Sequence, residues 1–468
     1  MKKVELKQQA NIKAPIQKWA LRGWGTQVIY DIFDGLLRSF LSGKKTFTRP
    51  YLFIGRSPEI AQSTLLPIIQ EINISADVVV LPEHRVSGLT KLRKHGIPLS
   101  YWTEYIPIFS LPSIMKQARK LRTTWKQLRA DLEAQAAFKY DDISIWSSIQ
   151  SHLEILFLRH FPVMLLQTRA LRHIFETIQP SALVTVAGRT STDRLAINLA
   201  RQYHVPSLYV QPAMISDSPH YGPLYADKAA VSDDFSHRIF INRGGVASER
   251  LAITGSPRFD DIPDAIANAT RLSAQKQVRE KLDLSLDEKF VVFATQPFSL
   301  SYTRKMIKAV IQALSKYPFL QLIIKVHPRE PLEKYNALLS DLDWTSSKPK
   351  VVTEIDLYTL LATSELVISG FSNVILEAVL LDKPALVVNL TGEPDPLPFV
   401  QDGIALGAYN DSEVGKQFDK IMNDQLTQEM LKEHRKRYIY QNHQLVDGKS
   451  TQRVVELLRQ MTISNEDE

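Results

Sequence analysis

Lys325-Val326-His327-Pro328-Arg329-Glu330 puts a histidine between two cations at the end of an apolar run, Leu320–Val326. Proline disfavours helix at the residue before it, so His327 is expected extended at a strand end. In an extended chain Lys325 and Arg329 lie on the same side as His327. Such a histidine can donate to a phosphate oxygen or protonate a leaving phosphate, and the cations add charge-assisted hydrogen bonds. Downstream, Ser369-Gly370-Phe371-Ser372-Asn373 is followed by Glu377 and by Lys383-Pro384. Gly370 allows a tight strand-to-helix turn, and Ser372 or Asn373 can cap the helix. Free N–H groups at that helix start favour phosphate, and Glu377, a turn further on, can accept from ribose hydroxyls. A surface loop and plain helix capping would use the same residues. Taken together, the two segments read as half of a nucleotide-sugar site.

Residues of this kind need strand ends to hold them. A first series runs through strand Tyr51–Gly55, helix Ile60–Ile69 and strand Asp77–Leu81. A helical stretch, Leu111–Ile178, follows, and Pro162 is expected to break it into several helices. Strands Ala182–Val186, Ser207–Val210, Ala229–Val231 and Leu251–Ile253 continue the series, with a helix at Thr192–Tyr203. Residues 263–285 read as a polar connector. A second series has strands Phe290–Ala294, Leu320–Val326, Lys350–Val352, Leu366–Ile368 and Ala385–Asn389. Helices at Thr303–Lys316, Leu357–Ala362 and Val374–Leu381 alternate with them, and helices fill the remainder to Met461. The 468 residues suit two α/β domains. The expected architecture is two doubly wound Rossmann-like domains facing across a cleft, with extra helices in the first. The boundaries are 1–50, a basic amphipathic segment; 51–265, an acceptor-side domain; 266–445, a nucleotide-donor domain; and 446–468, a last helix and acidic tail.

Composition narrows the partners. Cysteine is absent, so there is neither a disulfide framework nor a thiolate metal site. The net charge is +7, and residues 1–50 alone hold ten Lys or Arg against three acids. The remainder balances to zero, which argues against a uniformly basic nucleic-acid binder. Apolar residues recur at helical spacing from Val28 to Leu41. Residues 1–45 therefore suit an anionic membrane surface, or a helix packed on the protein with a solvated basic edge. With neither a membrane-length apolar run nor a signal-peptide core, a cytoplasmic protein is expected, peripheral on the inner membrane face. Asp341-x-Asp343 follows a polar helix and reads as a surface turn. No metal is expected, nor a cofactor beyond a nucleotide-activated sugar as substrate.

Val-His-Pro followed by Ser-x-x-Ser-Asn-x-x-x-Glu-Ala-x-x-x-x-Lys-Pro resembles the carboxyl-terminal half of GT-B glycosyltransferases of surface polysaccharide synthesis. Capsule transferases, bacterial sialyltransferases and CDP-glycerol polyglycerophosphate transferases belong to this group. Thr254-Gly255-Ser256-Pro257-Arg258-Phe259-Asp260 is similar to the stretch that closes their first domain. Gly188–Arg194 with Val205–Gln211, and Asp447-Gly448-Lys449, are similar to other parts of the superfamily. The resemblance covers about residues 180–460. It implies a metal-independent transferase that moves a sugar or polyol phosphate from a nucleotide donor to a glycan or lipid-linked acceptor. Donor contacts would come from Lys325, His327, Arg329, Ser369, Ser372, Asn373, Glu377, Gln296, Gly255 and Arg258. His327 and Glu83 are the catalytic candidates, and Arg56, Arg189 and Asp217 the acceptor-side ones. Asp193 lies three residues after Thr190 and reads instead as half of a capping box. Two departures stand out. Many relatives carry Gln-His-Gly where this chain has Gln211-Pro212-Ala213, with His220 as a nearby substitute. The alternative enzyme, a UDP-sugar 2-epimerase, shares the fold and a Glu-containing donor motif. It would carry an arginine-rich loop where Gln296-Pro297-Phe298 stands. A non-catalytic nucleotide-sugar binding or assembly protein is the third reading.

Overall fold

The computed structural model describes residues 48–55, 60–73, 77–82, 100–212, 214–217, 223–269, 271–340, 342 and 348–464. Two six-stranded sheets organise the chain. The first contains β1 (Tyr51–Gly55), β2 (Val78–Pro82), β3 (Ala182–Thr185), β4 (Ser207–Val210), β5 (Lys228–Val231) and β6 (Leu251–Ile253). Its order is β2-β1-β3-β4-β5-β6. The second contains β7 (Lys289–Ala294), β8 (Leu320–Lys325), β9 (Lys350–Val352), β10 (Leu366–Ser369), β11 (Ala385–Val388) and β12 (Leu406–Ala408). Its order, β9-β8-β7-β10-β11-β12, is the doubly wound 3-2-1-4-5-6 arrangement.

By its contacts the chain forms two compact units. One comprises residues up to Val210 with Tyr225–Lys228 and Val455–Glu468. Here β1 pairs in parallel with β2 and β3, and β3 with β4. Residues Leu52–Ile54, Val78–Leu81 and Ala182–Val184 are buried, as strands covered on both faces must be. The helical stretch resolves into Leu111–Ala130, Leu132–Ala137 and Trp146–Ile178. Contrary to expectation, Pro162 does not break the last of these. Residues Leu156–His160 form a π-helical turn just before it, in which the Phe161 N–H donates to the Leu156 carbonyl, and this wider register accommodates a following residue that has no N–H to donate. A two-residue antiparallel pair, Lys139–Tyr140 with Ile143–Ser144, interrupts the stretch instead.

The other unit comprises Gln211–Leu224 and Ala229–Val454. All five pairings of its large sheet are parallel. Every residue of β8, β10 and β11 is buried. Alternation still sorts the two faces of β8. Leu320, Leu322, Ile324 and Val326 pack with Met306, Val310 and Phe418, while Ile323 packs with Leu282, Leu360 and Leu361. Strand β12 was not expected; Leu406-Gly407-Ala408 is too short and too plain for a β pattern, and only the edge of β11 makes it a strand. Register aligns Lys325 with Ala294 and Ile368 with Phe293. The carboxyl ends of β7, β8 and β10 therefore finish together, at the point where the strand order reverses. That is where open α/β sheets bind ligands.

Candidate functional site at the reversal of the second sheet

Three segments leave these strand ends: Thr295-Gln296, Val326–Glu330 and Gly370–Asn373. Thr295 ties the first to the second. Its N–H donates to the Lys325 carbonyl at 3.0 Å, its hydroxyl donates to Glu330 Oε2 at 2.9 Å, and it accepts the His327 N–H at 2.9 Å. Glu330 is buried and also accepts from Tyr335 Oη and Lys334 Nζ, both at 2.6 Å. Burial and this carboxylate push the Tyr335 phenol up, so it stays a donor. The loop is thus fixed from beneath. Above it, His327 Nδ1 accepts the Arg329 N–H at 3.1 Å. A neutral His327 therefore carries its proton on Nε2, the tautomer that donates.

Lys325 is 9% exposed and donates to the Val326 carbonyl at 2.9 Å. Burial pulls its ammonium down. Among the described residues no carboxylate offsets that cost, which makes it a cation suited to an incoming anion.

Ser369 is fully buried, and its hydroxyl donates to the Ala294 carbonyl at 2.8 Å. It clamps β10 to β7. Gly370 follows under the Gln296 side chain; a Cβ there would sit 2.8 Å from Gln296 Oε1 and 3.1 Å from Phe298 Cε2. Ser372 caps helix Asn373–Leu380, accepting the Val374 N–H at 3.3 Å. Asn373 Oδ1 accepts from the Met214 N–H at 3.1 Å.

Glu377 is fully buried. Its Oε1 accepts from Arg258 Nη2 at 2.5 Å, while Oε2 is buried without a hydrogen-bond partner. Burial pushes this carboxyl up, and the Arg258 guanidinium offsets part of the effect. Arg258 is held in turn by Tyr358 Oη on its carbonyl, at 3.3 Å. Gln296 Oε1 is a second buried acceptor without a partner. The strand ends therefore combine a donor histidine, a buried cation, a capped helix start and two unused acceptors.

The other candidates have the following surroundings. Gly255 has φ +79° and lies against the Gln444 backbone and Ser450 Oγ. Asp260, at the end of the same motif, accepts the N–H groups of Ser450 and Thr451 at 2.8 and 2.7 Å and so caps the last helix. Arg453 completes the link through the Thr254 carbonyl and Asp447. Gln211 is buried, bonded to the Ser232 N–H and Ser236 Oγ. Asp217 is exposed and forms a two-point pair with Arg243 at 2.7 and 3.1 Å, which holds its carboxyl low. Arg329 is an exposed loop cation, and Lys383 precedes β11, at the opposite end of the sheet from His327. In the first unit Arg189 is half-buried before helix Ser191–Gln202, and Thr190 with Asp193 forms the expected capping box. Arg56, Glu83, His220, Asp341, Asp343 and residues 1–45 lie outside the described residues.

Sequence reading gave no roles to Thr295, Glu330, Tyr335 and Tyr358. Glu330 stood inside the quoted motif, but nothing local marks it as the acceptor for three groups. Arg258 and Glu377 were both expected at the donor, and the structure pairs them with each other.

A family model described as UDP-N-acetylglucosamine 2-epimerase matches residues 231–459. No curated protein matches the chain by sequence. Among solved structures, UDP-GlcNAc 2-epimerase of Neisseria meningitidis bound to UDP-GlcNAc is 14% identical with a TM-score of 0.59, covering 88% of this chain and 100% of that one. MnaA of S. aureus, solved with UDP, is 15% identical with a TM-score of 0.54, covering 87% and 95%. HepE of Anabaena in complex with UDP-glucose is 14% identical with a TM-score of 0.53, covering 88% and 99%. At such identities the likeness is one of fold. The chain has the GT-B-like architecture of UDP-GlcNAc 2-epimerases, with two Rossmann-like domains.

Proposed function

We propose that the second unit binds a uridine-diphosphate sugar at the carboxyl ends of β7, β8 and β10, and that the chain inverts C2 of that sugar. The observation that carries this reading is the epimerase model match over residues 231–459, which contains every group of the strand-end site. Solved relatives of the fold hold UDP-GlcNAc, UDP or UDP-glucose. His327 Nε2–H and the Lys325 ammonium suit the diphosphate, and the helix start at Asn373 adds N–H groups and the positive end of its dipole. The unused acceptors Gln296 Oε1 and Glu377 Oε2 suit ribose hydroxyls or the base N–H.

Inversion at C2 breaks the C2–H bond and re-forms it on the other face. One balanced route is elimination. A base takes the C2 proton, the C1–O electrons leave with UDP, and re-addition reverses both steps. The departing diphosphate gains charge, and that charge is what His327 and Lys325 are arranged to meet. Glycosyl transfer, the first expectation from sequence, keeps one specific point in its favour: Gln296-Pro297-Phe298 follows β7, with no arginine-rich loop.

Incubating the full chain with UDP-GlcNAc alone in D2O separates the two. Deuterium entering C2, followed by NMR, is the expected result. UDP release only with a glycan acceptor, and no exchange at C2, would reject epimerisation in favour of transfer. Thermal stabilisation by UDP with neither reaction would leave a binding protein.

A further inference from the structure

We propose that the first unit docks on an anionic lipid bilayer through the outer face of helix Leu111–Ala130 and the Ile108–Ser110 turn before it. That helix carries Lys116, Arg119, Lys120, Arg122, Lys126 and Arg129 and contains no acidic residue. All six are exposed, and among the described residues none is paired with a carboxylate. Met115, Arg119, Arg122, Lys126 and Arg129 follow one another at steps of four and three, so they form a single stripe along the helix. The packed face lies about a quarter-turn round the helix from this stripe: Ile114 and Trp125 are buried, and Trp125 stacks on Trp146 and Phe157 at 6.2 and 5.9 Å. The aromatic contacts anchor the helix, and the stripe beside them stays exposed.

Apolar groups lie at its leading end. Phe109 is 98% exposed, Ile108 60% and Met115 56%. Scattered exposed apolar residues are ordinary. These three are grouped at one end of an acid-free basic helix, and water-exposed aromatics beside a basic stripe fit the headgroup boundary, where cations meet lipid phosphates and apolar side chains enter the acyl region. Charge argues against other occupants. A second copy would present the same cations, and residues 1–50 carry ten Lys or Arg against three acids. Nucleic acid would satisfy the stripe but not Ile108, Phe109 and Met115.

The test is co-sedimentation of the full chain with neutral phosphatidylcholine vesicles, and with vesicles containing about a third phosphatidylglycerol, at near-physiological salt. Wild type should pellet with the anionic vesicles only. Arg119→Glu/Arg122→Glu/Lys126→Glu should weaken partitioning by roughly a hundredfold or more, since each basic side chain near such a surface contributes severalfold. Phe109→Ser should weaken it about tenfold. Unchanged melting curves would show that these exposed changes leave the fold intact. In Phe109→Trp, the added indole emission should shift to the blue with anionic vesicles. Binding unchanged in the triple variant would assign any vesicle affinity to residues 1–45 and overturn the proposal. Concentration-dependent dimerisation, or DNA capture without vesicle binding, would do the same.

Discussion

Replacing Arg258 by methionine tests the burial logic of the site. The wild-type pair joins residues 119 positions apart at 2.5 Å, with Glu377 fully buried and Arg258 29% exposed at its side chain. Methionine keeps much of the packed volume and removes the charge, leaving Glu377 with neither oxygen partnered. Removing one member of a buried pair costs about 3–5 kcal/mol, because the other charge stays desolvated. The sign with pH follows from Glu377. Burial already raises its carboxyl, and without Arg258 nothing opposes that rise. A carboxyl whose folded pKa exceeds its unfolded value binds more protons when folded, so stability falls as pH rises between the two values. The penalty should be complete above the folded pKa and relieved near the unfolded value of about 4.3. Glu377→Gln, which keeps the shape, should cost less, because Arg258 can reach water. The double variant should recover much of the loss, with a coupling well above 1 kcal/mol. Urea unfolding from pH 5 to 8 for all four proteins is the assay. A cost below about 1 kcal/mol for Arg258→Met, with wild-type pH dependence, would refute the reasoning.

Two further predictions concern the loop after β8. Lys325→Met should raise the melting temperature at neutral pH, since a desolvated ammonium is removed, while weakening UDP binding about tenfold through loss of a charge-assisted bond. The lowered lysine pKa sets the sign: wild-type stability rises with pH between the folded value and the unfolded 10.4 or so, so the variant's advantage should shrink there. Glu330→Gln should cost about 2–4 kcal/mol, because Lys334 and Tyr335 lose a charged acceptor. It should also weaken UDP binding by loosening Thr295 and the backbone of His327, measured by calorimetry beside urea unfolding.

Much of the second unit was legible along the chain. Apolar runs of strand length separated by amphipathic helices marked β7, β8, β10 and β11 to within a residue or so. Proline after His327 and serine before Asn373 fixed the strand end and the cap, because backbone sterics and helix termini are local matters. Pro162 shows where local rules end. A helix packed along its length can absorb a proline through a π-helical turn, and packing is not visible in a window of sequence. Strand β12 shows the same from the other side, since its hydrogen bonds come entirely from β11.

Sequence by itself determined the α/β alternation, the histidine at a strand end and the serine-capped helix, all consequences of neighbours a few residues apart. Only the tertiary structure decided that β7 and β10 flank the reversal, that Ser369 is a clamp on Ala294, and that Arg258 turns to Glu377. It also showed Glu330 to be the anchor beneath His327. Each depends on partners tens to more than a hundred residues away. The strength of a polar group depends on how completely water is excluded around it, and that exclusion is set by the fold as a whole.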